Sequence, residues 1–313
     1  GARLFRNDVS VLSARLPGQR PSGGKVECLL LRPAGQTGDV AASGSGSAPT
    51  LWRCLLKPGA KTAKAGAFGL PGEYEATVRE ALPAGEYLVG FALSRDADVP
   101  ALAQRLGSLP LPPYVKRPAD ASDAVRYQTV YADPDKRSAA AAPTAGLHFT
   151  PALLDELRRR GHPLHDLTLS VGLGTFRPIE TERVEDHPMH AESYLLPPAT
   201  KAALREEGPP RLAVGTTTVR AIEHHLAQGE DPDPGELTLA EADLFIRPGQ
   251  QVFRGADALL TNFHLPGSTL LCLVAAFLST EPDEGLPLLK DLYAQAIAAD
   301  YRFYSYGDAM LLL

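Results

Sequence analysis

A single histidine lies beside a helix start signal near the middle of the chain. His148 belongs to residues 142–150, a run of small residues that ends in an aromatic residue and a threonine. Thr150 suits the N-cap, Pro151 the first helical position and Gly161 the position after the last turn. The partial positive charge of a helix N-terminus disfavours imidazolium, so we expect a neutral ring able to accept a proton near pH 7. The alternative is a core histidine that is hydrogen-bonded to a backbone carbonyl.

Three predicted strands lead into loops of glycine, threonine and asparagine, at residues 171–176, 214–218 and 260–269. In open α/β sheets, ligands bind beyond the carboxyl ends of the strands, where glycine admits a ligand close to the backbone. Free N–H groups at a following helix start bind carboxylate or phosphate. Each loop alone is also compatible with an ordinary turn, but three of them favour one shared site. The candidate substrate contacts in and after these loops are Gly172, Gly174, Thr175, Gly215, Thr216, Thr217, Arg220, Asn262 and Phe263.

Two histidines and a glutamate occur together at His187, His190 and Glu192. These are common zinc ligands, so a metal-dependent hydrolase centred on them is one alternative. The spacing is not that of His-Glu-x-x-His, Pro188 breaks a helical register, and no second ligand pair is evident. Hydrogen bonding to a polar substrate, such as ribose hydroxyls held by Glu192, is therefore the favoured interpretation.

The C-terminal residues 301–310 are dense in aromatic side chains. Tyr304 and Tyr306, with Arg302, are of the types that stack on a base or meet a cation. The alternative is a C-terminal strand packed on the core, and the two interpretations are compatible.

The elements that must hold these residues change in type along the chain. Residues 7–107 contain short strands separated by glycine and proline, which is typical of a small barrel or sandwich. Beyond a Pro-rich connection at residues 109–114, strands and helices alternate, which predicts a sheet covered on both faces. Strands are predicted, among others, at residues 166–171, 211–214, 242–246 and 258–261, with an apolar helix at 270–278.

The composition is that of an ordinary soluble globular protein, with 44% hydrophobic and 22% charged residues. The longest apolar run, residues 270–278, is too short to span a bilayer, and no secretory signal opens the chain. Cys28, Cys54 and Cys272 are odd in number and lack paired spacing, which predicts a reduced cytoplasmic setting.

Charge is distributed unevenly along the chain. The first 70 residues hold ten of the 31 Lys/Arg and three of the 37 Asp/Glu, so they carry +7 and the remainder −13. A basic segment on an acidic chain is expected of a protein that presents one face to a polyanion, although a solvated surface is the alternative. Residues 57–64 are predicted to form a basic, turn-rich loop that follows a phosphate backbone.

Taken together, the motifs resemble those of a known family. Six motifs follow one another along the chain in the same order as in that family, and residues 109–114 and 126–131 match it too. The combination is similar to the S-adenosylmethionine:tRNA ribosyltransferase-isomerase family of queuosine biosynthesis, over nearly the whole chain. The six motifs are residues 142–150, 171–176, 189–192, 214–217, 261–266 and 305–310.

The resemblance implies an α/β fold: an α/β/α sandwich body with an inserted, six-stranded antiparallel β-barrel. The body would comprise residues 1–10 and 108–313 and the basic barrel residues 11–107. The family carries several dozen residues upstream, so we expect the body to be incomplete at its N-terminal part. Where the family usually has Thr-Arg after Asn-Asp, this chain has Val9 and Ser10, which weakens any expected substrate contact there.

The resemblance also implies the reaction. The ribosyl part of S-adenosylmethionine moves onto 7-aminomethyl-7-deazaguanine at the tRNA wobble position. Rearrangement then gives epoxyqueuosine and releases adenine and methionine. S-adenosylmethionine is a co-substrate, and neither a metal nor a prosthetic group is expected. A non-catalytic tRNA-binding homologue is the other alternative, and a cytoplasmic monomer is expected.

Roles can be assigned to residues within that reaction. The chemistry would start with proton removal next to the sulfonium, for which a neutral His148 is the leading base and His264 and His190 are its rivals. Asp308 or Glu192 would protonate or orient the departing adenine. The methionine carboxylate would lie at the helix start after Thr216 and Thr217, or at the one after Thr150. The remaining predicted substrate contacts are Thr144, Gly146 and Phe149, and the predicted tRNA contacts, away from the chemistry, are Arg53, Lys57, Lys61 and Lys64.

Overall fold

The computed structural model describes residues 1–34, 50–172, 178–229, 231–249 and 253–313. By its backbone contacts the chain divides into two compact units. The sheet unit comprises Gly1–Val9, Arg126–Lys136 and Ala142–Leu313, and the barrel unit comprises Ser10–Val125 and Arg137–Ala141. The division into residues 1–10 with 108–313 and residues 11–107 stays a prediction.

Strands and helices have the following bounds. The strands are β1 (Arg3–Asn7), β2 (Ser10–Val11), β3 (Arg15–Gln19), β4 (Lys25–Pro33), β5 (Thr50–Lys57), β6 (Ala67–Leu70), β7 (Tyr74–Ala81), β8 (Glu86–Leu93), β9 (Arg137–Ala139), β10 (Leu164–Leu169), β11 (Glu192–Leu196), β12 (Arg211–Val214), β13 (Thr238–Ala242), β14 (Ala258–Asn262) and β15 (Ala309–Leu312). The α-helices are α1 (Gly59–Ala65), α2 (Val99–Leu106), α3 (Ala121–Arg126), α4 (Pro151–Arg159), α5 (Pro198–Arg205), α6 (Thr216–Ala227), α7 (Thr269–Leu278) and α8 (Gly285–Ala298). A 3₁₀ helix spans Thr144–His148.

The sheet unit is built on a seven-stranded sheet in the order β13-β11-β10-β1-β12-β14-β15. Its four central strands, β10, β1, β12 and β14, are parallel, and the outer pairings are antiparallel. The N-terminal strand β1 therefore lies at the centre, with Phe5 opposite both His165 and Ala213.

Helices cover both faces of this sheet. Successive side chains of a strand point to opposite faces, so Leu259 and Leu260 of β14 belong to different cores. Leu259 packs with residues of α6, α7 and α8, including Leu273 and Leu289. Leu260 packs with Leu154 of α4 and with the 3₁₀ helix. The predicted α/β/α body is confirmed.

The barrel unit contains a closed barrel of six strands in the order β3-β4-β5-β8-β7-β6. Every neighbouring pair is antiparallel, and Gln19 opposite Gly69 closes the ring. Buried aromatic side chains pack inside it, with the rings of Tyr74 and Phe91 5.9 Å apart. The predicted small antiparallel barrel is also confirmed.

The helix predicted after Thr150 forms as expected. The Thr150 hydroxyl accepts a hydrogen bond from the Leu153 N–H at 3.1 Å, which caps the first turn of α4. Gly161 lies after the last turn with φ +75°, a left-handed conformation that glycine adopts without steric cost.

Two local predictions are wrong. Residues 57–64 are not a loop, because α1 forms over Gly59–Ala65, where alanines favour helix and a left-handed Gly66 ends it. The strand expected over residues 242–246 ends at Ala242, where its antiparallel pairing with β11 stops. None of the helices in the described ranges has the length and apolar content needed to cross a bilayer.

Candidate substrate site

Four parallel strands deliver their carboxyl ends to one edge of the sheet unit. β10, β1, β12 and β14 end at Leu169, Asn7, Val214 and Asn262. The loops predicted to bind substrate follow three of these ends, so they share the edge at which such sheets bind ligands. Gly172 follows β10 there, whereas the predicted contacts Gly174 and Thr175 lie outside the described residues.

A pocket that is open to solvent contains several of the predicted residues. One side is polar, where the start of α6 meets the residues that precede and begin β11. The other side is apolar and comes from α7 and from the segment after β13. The lining residues are His187, Met189, His190, Glu192, Thr216, Thr217, Arg220, Leu244, Phe245, Ile246, Thr269, Leu270 and Leu273.

A buried ion pair fixes the polar side of the pocket. Arg220 Nη1 donates to Glu192 Oε2 at 2.7 Å, and both side chains are at most one-tenth exposed. Glu192 Oε1 accepts the Gly172 N–H at 3.0 Å. Arg220 Nη2 donates to the carbonyl oxygens of His190 and Ala242. Arg220 thus ties α6 to the start of β11 and the end of β13, and Glu192 extends the contacts to the loop after β10.

One donor of Arg220 is left without a partner. Its Nε is buried and has no hydrogen-bond partner among the described residues. A buried donor without a partner costs free energy, which reduces the net stabilisation from this ion pair.

The first turn of α6 presents further donors to the same pocket. Gly215 precedes it with φ +94°, a conformation that strains any residue with a Cβ, and supplies no side-chain cap. The N–H groups and hydroxyls of Thr216 and Thr217 therefore start the helix at the pocket wall. A helix N-terminus with uncapped N–H groups attracts an anion.

The arrangement around Glu192 argues against the metal-hydrolase alternative. His187, His190 and Glu192 do line one pocket. Both carboxylate oxygens of Glu192 already accept hydrogen bonds, one of them from a guanidinium that would repel a cation. Within the described ranges, no three His, Cys, Asp or Glu side chains are grouped as a metal site would require. Contacts of Glu192 with ribose hydroxyls stay a prediction, because each carboxylate oxygen has a second lone pair.

His148 belongs to a second cluster, outside the lining of the pocket. It ends the 3₁₀ helix Thr144–His148, and its Nε2 lies 3.1 Å from Asn262 Nδ2. The His148 pKa is lowered, chiefly because burial penalises the charged ring; Asp308 opposes this shift and Arg302 adds to it. The ring is therefore neutral at pH 7, as predicted, although burial and not the helix terminus is the main cause.

Residues 302–308 fold into a turn beside His148. Arg302 Nη2 donates to Asp308 Oδ1 at 2.6 Å, and the Arg302 N–H donates to Asp308 Oδ2 at 2.7 Å. These bonds hold the Asp308 pKa down at about 2, so Asp308 is ionised at neutral pH and has no proton to give adenine. Tyr304 has φ +73°, and its N–H donates to the Phe263 carbonyl. The Tyr306 ring meets Tyr127 edge-on and lies 5.4 Å from the guanidinium of Arg126.

Several other predicted contacts lie in the core. Phe149 is buried against Leu154 and the sheet, and Phe263 stacks on Phe303 with ring centres 4.6 Å apart. His264 is 9% exposed, and burial lowers its pKa to about 4. Its Nε2 lies 2.8 Å from the Thr261 hydroxyl, so its surroundings are those of a core histidine.

Gly146 and Thr144 lie in the same 3₁₀ helix as His148. A Cβ on Gly146 would lie 2.0 Å from the Tyr131 hydroxyl, so this glycine allows close packing within the protein. Thr144 is partly exposed at the start of the helix. Contacts of these two residues with a substrate stay predictions.

The four predicted tRNA contacts lie in the barrel unit. Lys57 ends β5, and Lys61 and Lys64 lie three residues apart on α1; all three are exposed. No ion pair among the described residues engages these lysines. Arg53 differs, because its Nη1 lies 3.5 Å from Glu86 Oε2.

Sequence reasoning missed the apolar side of the pocket. Phe245 and Ile246 were expected in a strand, yet they follow its end and line the pocket. Leu270 was expected to start a buried helix and Thr269 to end the loop before it, yet both line the pocket. The Ser268 hydroxyl accepts the Leu271 N–H at 3.3 Å, and this N-cap serine was a signal that placed the helix start.

The sequence of the chain matches a family of known proteins. The family described as queuosine biosynthesis protein matches residues 1–312. A relative from Citrifermentans bemidjiense, named S-adenosylmethionine:tRNA ribosyltransferase-isomerase, is 45% identical over 100% of this chain and 84% of its own length. Relatives of the same name from Geobacter sulfurreducens and Moorella thermoacetica are each 44% identical over 100% of this chain, with 84% and 85% of their lengths covered.

A solved structure is also similar. The crystal structure of S-adenosylmethionine tRNA ribosyltransferase from Thermotoga maritima is 29% identical, and the match covers 100% of this chain and 82% of that chain with a TM-score of 0.46. On the family match and the curated relatives, this chain belongs to the queuosine biosynthesis protein family.

Proposed function

We propose that this chain is an S-adenosylmethionine:tRNA ribosyltransferase-isomerase. It moves the ribosyl part of S-adenosylmethionine onto 7-aminomethyl-7-deazaguanine at the wobble position of tRNA, gives epoxyqueuosine and releases adenine and methionine. The observation that carries the proposal is 45% identity to a relative of that name over the whole length of this chain.

The pocket supports binding of the methionine part of S-adenosylmethionine. Its carboxylate accepts hydrogen bonds from the uncapped first turn of α6 at Thr216 and Thr217. The Glu192 carboxylate offsets the charge of Arg220, so the site recognises an anion by directed hydrogen bonds more than by net charge.

The apolar side supports binding of the uncharged part of the same molecule. Phe245, Leu270 and Leu273 provide a wall for the hydrocarbon chain next to sulfur. His148, Tyr304 and Asp308, in the second cluster, are proposed to act on the nucleoside.

The reaction needs no metal in this proposal, and its macromolecular substrate is a tRNA. Lys57, Lys61 and Lys64 give the barrel unit exposed positive charge for the tRNA backbone. We also propose that the chain works as a monomer.

The test is the release of adenine from S-adenosylmethionine labelled in the base. The chain is incubated with labelled S-adenosylmethionine and tRNA that carries the aminomethyl base, and adenine is quantified against time. The matched control is the same tRNA with an unmodified guanine at the wobble position. We expect adenine release with the first tRNA only. Binding of both tRNAs without adenine release would favour a non-catalytic tRNA-binding protein and overturn the proposal.

A further inference from the structure

The orientation of the Asn262 side chain is fixed by its neighbours. Asn262 Nδ2 lies 3.3 Å from the carbonyl oxygens of both Tyr304 and Asp308. A carbonyl oxygen only accepts hydrogen bonds, so the atom that faces the two of them must be the NH₂ group. The reversed amide would place three oxygens together. Asn262 is also 2% exposed and pairs with Ala309 across β14 and β15, so it has little freedom to turn.

This orientation decides which nitrogen of His148 carries the proton. His148 Nε2 lies 3.1 Å from the same Asn262 Nδ2. Because the NH₂ group is a donor only, Nε2 must accept, and a neutral ring then carries its hydrogen on Nδ1. A proton on Nε2 would point an N–H at an N–H.

The remaining N–H of the ring is available to a ligand. The hydrogen bonds of the described residues leave His148 Nδ1 without a partner, and the ring is half-buried. A general base needs a free lone pair, and the only one on this tautomer faces Asn262. The geometry therefore suits donation to a substrate and opposes proton abstraction.

We propose that Asn262 is a positioning residue that holds His148 as the Nδ1–H tautomer, so that His148 meets the nucleoside as a hydrogen-bond donor and another group removes the proton. The identity of the ligand rests on the proposed function, whereas the tautomer follows from the hydrogen bonds alone. A neutral imidazole that donates in a partly desolvated site stabilises negative charge that develops on an acceptor atom of the substrate.

The tautomer is measured directly by long-range ¹H–¹⁵N NMR correlation on the ¹⁵N-histidine-labelled chain at pH 7.5. The His148 signals are assigned by their absence from the His148→Gln spectrum. We expect a protonated Nδ1 and an unprotonated Nε2. In Asn262→Leu, a side chain of similar size carries no donor beside Nε2, and the proton should no longer be confined to Nδ1. A wild-type ring protonated on Nε2, or a tautomer unchanged in Asn262→Leu, would overturn the proposal.

The donor role is tested by a matched pair of variants. The amide nitrogen of Asn can reach the position of Nδ1, whereas that of Gln reaches the position of Nε2, and neither amide is a base. We expect kcat for adenine release to be at least about tenfold higher in His148→Asn than in His148→Gln, with His148→Gln about 10²-fold below wild type. Equal loss in both folded variants would instead assign His148 as the base. If the wild-type chain releases no adenine, the proposed function fails, and the NMR result still decides the tautomer.

Discussion

At the scale of single residues, two long-range contacts organise the candidate site. Arg220 reaches Glu192, 28 positions away, and Asn262 reaches His148, 114 positions away. The motifs predicted these four residues as members of the site, but they did not predict which residue contacts which. No local pattern encodes which buried guanidinium meets which carboxylate, because the sheet order decides it.

The Arg220–Glu192 pair gives a prediction about stability. Removing one partner leaves the other charge buried and unpaired, so Arg220→Met should lower the free energy of unfolding by about 3 kcal/mol. The double variant Arg220→Met with Glu192→Gln should lose less than the sum of the two single losses, because neither then leaves a lone charge. Urea unfolding of the four proteins measures this cycle; additive losses would mean that the two groups do not interact.

His264 gives a prediction about acid stability. Its pKa is about 4 in the folded protein, against 6.5 for an ordinary histidine. Between these values the unfolded chain binds the proton and the folded chain does not, so stability is full above pH 6.5 and falls as the pH drops towards 4. The loss from this one residue is roughly 3 kcal/mol.

The measurement is the free energy of unfolding of wild type and His264→Gln at pH 7.5 and pH 4.5. The wild type should lose more stability between these values than the variant does. Equal losses would show that His264 titrates normally and that its burial has no such consequence.

At the scale of elements, local signals predicted those that carry capping or turn chemistry. The strand β12 was found where it was expected. The helix α4 also begins where it was expected, because Thr150, Pro151 and Gly161 specify its two ends locally. The helix α1 was not predicted, because it is short and its lysines next to a proline form a pattern that is typical of a loop. The strand β13 ends at Ala242 because it lies opposite Glu192, the first residue of β11, and the sequence of β13 alone does not show where its partner strand begins.

The helix α1 carries a prediction about nucleic-acid affinity. If Lys61 and Lys64 contact phosphates, replacing both by alanine should lower the slope of log affinity against log salt concentration by about two units, since each contact contributes about one. Binding of the tRNA is titrated at several salt concentrations. The control is Lys290→Ala, an exposed lysine on α8 of the sheet unit, which should leave the slope unchanged. An unchanged slope in the double variant would remove α1 from the contact surface.

At the scale of the whole molecule, the fold class was predictable and the site only in part. The alternation of strands and helices, together with the family motifs, predicted a covered sheet and a small barrel, and both are present. Phe149, Phe263 and His264 belong to motifs as clear as that of Thr217, yet they pack in the core, whereas Thr217 lines the pocket. A motif locates a segment, whereas the direction of each side chain depends on which strand end the segment follows and on which face it packs.

The central claim is that the chain transfers the ribosyl part of S-adenosylmethionine to a base of tRNA. The most direct measurement is the mass of the wobble nucleoside after incubation with S-adenosylmethionine, by digestion of the tRNA and mass spectrometry. The account predicts a gain equal to the ribosyl-derived ring, matched mole for mole by adenine and methionine. A gain of only a methyl group, or an unchanged nucleoside with intact S-adenosylmethionine, would contradict it.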